Sequence, residues 1–177
     1  MRGLDSRDYI LLGSATVLVL LVVFGMSQEI RSGNSSGVTD WQDIELEDVN
    51  SGEIFTVSEL EKPMLVESFA VWCPTCTRQQ QEIKKLHENS NVTSVSLNVD
   101  SNEDEDQVRK HIEENGFDWR YAVSPTELTR ALVQEYGPSM ANPPSAPAVL
   151  VCENSTRKLS NGVKPVSKLK DEVEKGC

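Results

Sequence analysis

Trp72-Cys73-Pro74-Thr75-Cys76 is the stretch on which the fold turns, because it sets two thiols three residues apart where an apolar run gives way to a helical pattern. Met64, Leu65 and Val66, with Phe69 and Ala70 after them, read as a buried strand. Beyond the pair, Cys76, Gln80, Ile83 and His87 recur on or near one helix face. A strand therefore delivers Cys73 to a helix start, where unpartnered backbone N–H groups favour a thiolate over a thiol. Pro74 supports this register, since proline disfavours a helical conformation at the residue before it and suits the first helical position itself. Cys73 becomes the cap, and Cys76, one turn inside, shares its face, so a disulfide can close and open without moving the backbone far.

Two other readings of the pair are a zinc half-site and a purely structural bridge. Zinc would need a second close pair, and Cys152 and Cys177 are isolated and far apart in sequence. A purely structural bridge stays an alternative, and the strand-to-helix setting favours redox chemistry.

With 177 residues, 38% of them hydrophobic, the chain has room for one ordinary domain plus an accessory segment. A net charge of −11 argues against a nucleic-acid partner, which would want a basic face. Four cysteines are too few for a disulfide scaffold at this length.

Residues 10–26, ILLGSATVLVLLVVFGM, carry no charge and at the helical rise would reach roughly 25 Å, near the lower limit for a bilayer. Arg2 and Arg7 before the run outnumber Arg31 close after it, which leaves residues 1–9 in the cytoplasm. The rival is a cleaved signal peptide ending near Gly25-Met26-Ser27, but the apolar run is longer than such peptides use. Either way the rest is exported, and the expectation is a single-pass membrane protein with its domain outside the cytoplasm. Residues 27–40, glycine- and serine-rich, read as a flexible tether. Three glycosylation acceptors, at Asn34, Asn91 and Asn154, are compatible with export.

The folded part is expected over 41–177. Ile44, Leu46 and Val49, a turn at Asn50-Ser51-Gly52, and Ile54 to Val57 predict a β-hairpin. After the strand 64–71 and the helix 74–88 come a strand at 92–99, a helix opened by the acidic run 102–106 and closed at Asn115-Gly116, and a short strand through Trp119, Tyr121 and Val123. A helix from Pro125 to Tyr136, an apolar strand 148–152, a charged hairpin 153–158 leading to a last strand near Leu159 and Gly162, and a helix from Pro165 complete the chain. Such alternation implies a mostly parallel sheet with helices on both faces, its active groups at the carboxyl ends of strands.

WCPTC after an apolar strand, an X-Pro step immediately before a later apolar strand, a glycine-bearing hairpin and a closing helix resemble the thioredoxin fold: a central mixed sheet flanked by helices. The leading hairpin and the helix and strand inserted between 101 and 123 are similar to the membrane-anchored TlpA/ResA branch. This resemblance implies Cys73 as the exposed nucleophile, Cys76 as the resolving thiol, and Pro147 as a cis-proline facing them. It also implies a client-binding rim of Trp72, Pro74, Thr75, Ala146 and Pro147. The pair Pro-Thr stands where many thioredoxins have Gly-Pro, and no histidine lies between the thiols.

Glu67, six residues before Cys73, sits where thioredoxins often carry a buried acid beneath the second cysteine. Strand alternation independently places it on the face of Phe69 and Val71. A buried carboxyl there has a raised pKa and could take the proton from Cys76; the alternative is an acid at the strand edge, in water. His87 and His111 are expected at the surface, Cys152 as a small apolar filler and Cys177 as a mobile end, although a Cys152–Cys177 bridge forms if the last helix returns along that strand. The acidic run 102–106 is expected to be a solvated helix start.

The expected activity is thiol–disulfide exchange with client proteins bearing disulfides or thiols, requiring no metal or organic cofactor. The resemblance implies a reductant recharged by a membrane electron donor, as in cytochrome c maturation. The alternatives are an oxidant that installs disulfides and a client-binding module without turnover.

Overall fold

Met64–Phe69 (β3) is apolar on both faces, apart from Glu67 and Ser68, because both faces are covered: Leu65 and Phe69 enter one core, Met64 and Val66 the other. The computed structural model describes residues 40–177, so the expected N-terminus 1–9, the span 10–26 and the tether as far as residue 39 lie outside the described residues. Among the described residues no helix is long and apolar enough to cross a membrane.

The main sheet runs β5-β4-β3-β6-β7, with β4 at Thr93–Asn98, β5 at Arg120–Val123, β6 at Ala148–Cys152 and β7 at Ser155–Lys158. β3, β4 and β5 are parallel, and β6 and β7 are antiparallel to their neighbours. The sheet is therefore evenly mixed rather than mostly parallel. The last strand is also Ser155–Lys158 itself, not the stretch near Leu159 and Gly162, since a tight turn at Glu153-Asn154 joins adjacent antiparallel strands directly. The leading hairpin, β1 (Leu46–Glu47) with β2 (Ile54–Phe55), forms a separate two-stranded sheet attached through the Val49 N–H to the Tyr121 carbonyl, 2.8 Å.

Among the described residues four helices flank the sheet: α1 (Pro74–His87), α2 (Glu105–Asn115), α3 (Thr126–Tyr136) and α4 (Val166–Gly176). Buried residues of α1, α2 and α4 pack with Leu65 and Phe69, and those of α3 pack with Met64 and Val66 on the other face. α2 starts with a reciprocal cap between Asp104 and Gln107 and stops at Gly116, whose φ of 61° is a left-handed conformation open to glycine.

Both histidines depart from the expected surface positions. His111 is 5% exposed, hydrogen-bonded through Nε2 to Gln80 Oε1 at 2.7 Å and stacked on Phe69. His87 is half-buried, with Nε2 2.8 Å from Ser94 Oγ and its ring edge against Trp119. In each case the helix turns that face onto an aromatic core, and burial lowers the imidazole pKa.

Cys152 and Cys177 are not a filler and a mobile end but partners in a disulfide that ties β6 to the end of α4. The bridge closes a loop with a sequence separation of 25. Chain entropy puts its contribution at roughly 3 kcal/mol. Replacing both cysteines by alanine should lower the denaturation midpoint accordingly while leaving exchange by the other pair intact, as chemical denaturation and an insulin-reduction assay would check.

Candidate active site

Cys73 is the N-cap of α1, with extended backbone (φ −91°, ψ 103°), and Pro74 is the first helical residue. The Cys76 N–H, one of the helix's orphan donors, donates to Cys73 Sγ at 3.1 Å. The two cysteines form a disulfide with Cα atoms 5.3 Å apart. A thiolate on Cys73 would keep that donor and the helix dipole as its stabilisers.

Neither sulfur is at the surface: each cysteine is 1% exposed. The resemblance implied an exposed Cys73; instead its sulfur turns inward over the first helical turn, beneath the N–H of Cys76. Trp72, by contrast, is 56% exposed, and Pro74 is exposed with Thr75 half-buried. Opposite the helix start, a 3-10 turn at Pro143–Ser145 packs on α1, and Cys76 Sγ lies 3.2 Å from the Pro143 carbonyl oxygen. When the pair is reduced, a Cys76 thiol has an acceptor already in place there.

Ala146 and Pro147 follow that turn, and both are buried. Pro147 accepts from the Ser68 N–H at 3.3 Å, which fixes it beside β3. Its peptide bond is not the expected cis one; among the described residues the cis bond is Lys62–Pro63. The direction change before β6 is made by Ala146, which adopts a left-handed conformation (φ 42°, ψ 56°).

Glu67 is 2% exposed, on the face of Leu65 and Phe69, which border the same core as the two cysteines. Ser96 Oγ donates to Glu67 Oε1 at 2.7 Å, while the buried Gln80 amide nitrogen, one turn beyond Cys76 on α1, has no hydrogen-bond partner among the described residues. Burial pushes the carboxyl up to about 7, against the Ser96 hydrogen bond and the positive charge of Lys164. Lys164 is itself buried, which lowers its ammonium to about 8. A buried acid titrating near neutrality, on the strand face that borders the same core as the thiols, has the properties of a proton acceptor.

Two carboxylates, Asp100 and, from the acidic run expected in water, Glu103, grip the other shoulder of the motif. Glu103 Oε2 accepts from the Val71 N–H at 2.8 Å, its Oε1 from the Trp72 N–H at 3.4 Å, and the Asn98 amide holds the same group. Asp100 Oδ2 accepts from the Trp72 indole at 2.6 Å, and this bond above all holds its carboxyl below the usual range. The acidic run thus splits: Glu103 turns inward to the strand-to-helix junction, and the helix begins only at Glu105. The acidic residues were visible in the sequence, but their pairing with the peptide groups before Cys73 spans about thirty residues and has no local signal. Among the described residues no three metal-binding side chains come together.

Residues 37–172 match the family model described as Redoxin. No curated protein matches the sequence. Among solved structures, a thioredoxin-related protein from Neisseria meningitidis serogroup B has a TM-score of 0.60 at 16% identity, over 73% of this chain and 96% of that one. A secreted Mycobacterium tuberculosis disulfide oxidoreductase, described as homologous to E. coli DsbE, gives 0.61 at 15% identity, over 77% of this chain and 97% of that one. StoA from Bacillus subtilis gives 0.53 at 17% identity, over 72% and 93%. At these identities the structures establish the thioredoxin-like fold.

Proposed function

We propose that this chain, which belongs to the Redoxin family and is a thiol–disulfide oxidoreductase of thioredoxin-like fold, reduces disulfides in client proteins outside the cytoplasm, anchored through residues 10–26. The observation that carries the reductant direction is the pair of carboxylates, Asp100 and Glu103, clasping Trp72. Negative charge next to Cys73 disfavours its thiolate, and no histidine between the thiols offsets this. A reduced form without strong thiolate stabilisation gives electrons up more readily, the opposite of the arrangement that makes a strong oxidant. Export is supported by the uncharged apolar run and by the Cys152–Cys177 bridge, since such bridges persist in oxidising compartments.

In this reading the Cys73 thiolate attacks one sulfur of a client disulfide; the Cys73–client bond forms as the client's own bond breaks, and the second client thiolate leaves. Cys76, passing its proton to the Glu67 carboxylate, then attacks Cys73 Sγ and expels the first client sulfur as a thiolate. The client has gained two electrons and the enzyme has become the disulfide. A membrane dithiol donor returns those electrons by the reverse exchange. Trp72, Pro74 and Thr75 form the rim on which the client lies.

The deciding measurement is the reduction potential of Cys73–Cys76 in the full-length protein, by alkylation across graded redox buffers. A value near that of thioredoxin, roughly −270 mV, is expected, whereas one near DsbA, roughly −120 mV, would make the protein a disulfide donor. Absence of a reversible couple would leave only client binding.

A further inference from the structure

We propose that Lys164 is a positioning residue that holds the Pro143–Ala146 segment closed over the cysteine pair, so that a client reaches Cys73 only when that segment opens. Exchange requires three sulfurs in line, with Cys73 in the middle or at one end, and the disulfide-bonded Cys73, 1% exposed, offers no such approach. Some part of the wall has to move.

The part suited to move is the stretch between Gly137 and Ala146, whose ends both have positive φ, 92° and 42°. It consists of two 3-10 turns, Pro138–Ala141 and Pro143–Ser145, and the second lies on α1 with its Pro143 carbonyl against Cys76 Sγ. Its far end is fastened by Lys164. The ammonium donates to the carbonyls of Ala146 at 2.8 Å, Gly162 at 2.7 Å and Ser160 at 3.2 Å. The Gly162 N–H in turn donates to the Ser145 carbonyl at 2.7 Å. Lys164 is anchored to the active-site helix by its own backbone, its N–H donating to Gln79 Oε1 at 2.7 Å. One residue thus joins α1, the turn before α4 and the carbonyl just before Pro147.

Stability alone does not account for this lysine. A buried ammonium is costly to desolvate, and an apolar side chain of similar volume often serves a core as well or better. All three of its protons go to backbone carbonyls, and one of those belongs to Ala146, a non-glycine residue in a left-handed conformation that persists only when its surroundings enforce it. A strained joint held by a charge-assisted bond has a closed state and a low-cost way to leave it.

The test uses the full-length protein in its reduced state. Iodoacetamide labelling of Cys73 is followed by mass spectrometry in the wild type and in Lys164→Met, with amide exchange read in parallel. Lys164→Met should label Cys73 about tenfold faster, the loss expected for one charge-assisted hydrogen bond, with the thiol pKa unchanged. The Ala146 and Gly162 amides should exchange faster while those of β3 and β4 keep their protection. An unchanged labelling rate, or acceleration shared by the β3 and β4 amides, would overturn the proposal. Should Lys164→Met not fold, the wild type decides: a Cys73 thiolate at least about tenfold slower than a free thiolate of equal pKa supports the cover. One that reacts as fast as the free thiolate rules it out.

Discussion

Cys73→Ser should lose disulfide-reductase activity by at least about a thousandfold, because a serine hydroxyl at neutral pH has almost none of the ionised form that the thiol supplies. The N-cap position would survive the change, since serine is a favoured cap and its oxygen can take the Cys76 N–H that Cys73 Sγ now accepts. Folding and stability should therefore stay close to the wild type, and the loss can be assigned to chemistry. Cys76→Ser is the complementary variant. It keeps the nucleophile and removes the group that expels the client, so a mixed disulfide through Cys73 should accumulate and be visible on a non-reducing gel. Activity retained in Cys73→Ser, or no trapped adduct in Cys76→Ser, would remove the two-thiol mechanism. A client that still binds Cys73→Ser with unchanged affinity would locate binding in the surrounding rim.

Glu67→Gln has the next largest expected effect, and it acts on rate and on stability in different ways. With the carboxylate gone, collapse of the mixed disulfide should slow by about a hundredfold, the usual lower range for losing a proton acceptor. In the wild type this step should rise with pH through about 7, where Glu67 ionises, and the variant should lack that limb. A stopped-flow pH profile of thionitrobenzoate release from Cys73 checks both. If the limb persisted in Glu67→Gln, another group would be the base.

For stability the sign is set by the direction of the shift. The folded-state pKa is raised from 4.5 to about 7, so the folded protein binds this proton more tightly than the unfolded chain. The resulting stabilisation is full below about pH 4.5 and is lost as pH rises towards 7, by roughly 3 kcal/mol if nothing else titrates. Glutamine is neutral at every pH. Glu67→Gln should flatten this part of the stability profile and be the more stable protein at pH 8, as urea denaturation at several pH values would measure.

Legibility of this protein divides by the range of the interaction concerned. Cys73 as cap and Pro74 as first helical residue follow from the few residues around them, and so do the ends of α2, with acidic residues at its start and Gly116 at its stop. β3 was readable because covering both faces of a strand demands an unbroken apolar run, and Glu67 was conspicuous as a charge inside one. Each of these depends on backbone preferences or on a hydrophobic period of a few residues.

What escaped the sequence depends on groups far apart in the chain. His111 offers no local sign that its helix will lay it on Phe69 and Gln80, and a terminal Cys177 does not announce Cys152 as its partner. Glu103 is indistinguishable in sequence from its acidic neighbours until the fold sets Val71 and Trp72 before it. Lys164 looks like any surface lysine, yet it is buried because three carbonyls from two loops converge on its ammonium.

That a strand hands two thiols to a helix start follows from proline geometry, capping and hydrophobic period, all of which act within one or two turns of the chain. The covering of the sulfurs, the carboxylates that stand beside them and the lysine that fastens the cover all depend on the folded arrangement. Burial and electrostatic contact are properties of groups brought together across the fold, and the order of residues along the chain does not encode them one neighbour at a time.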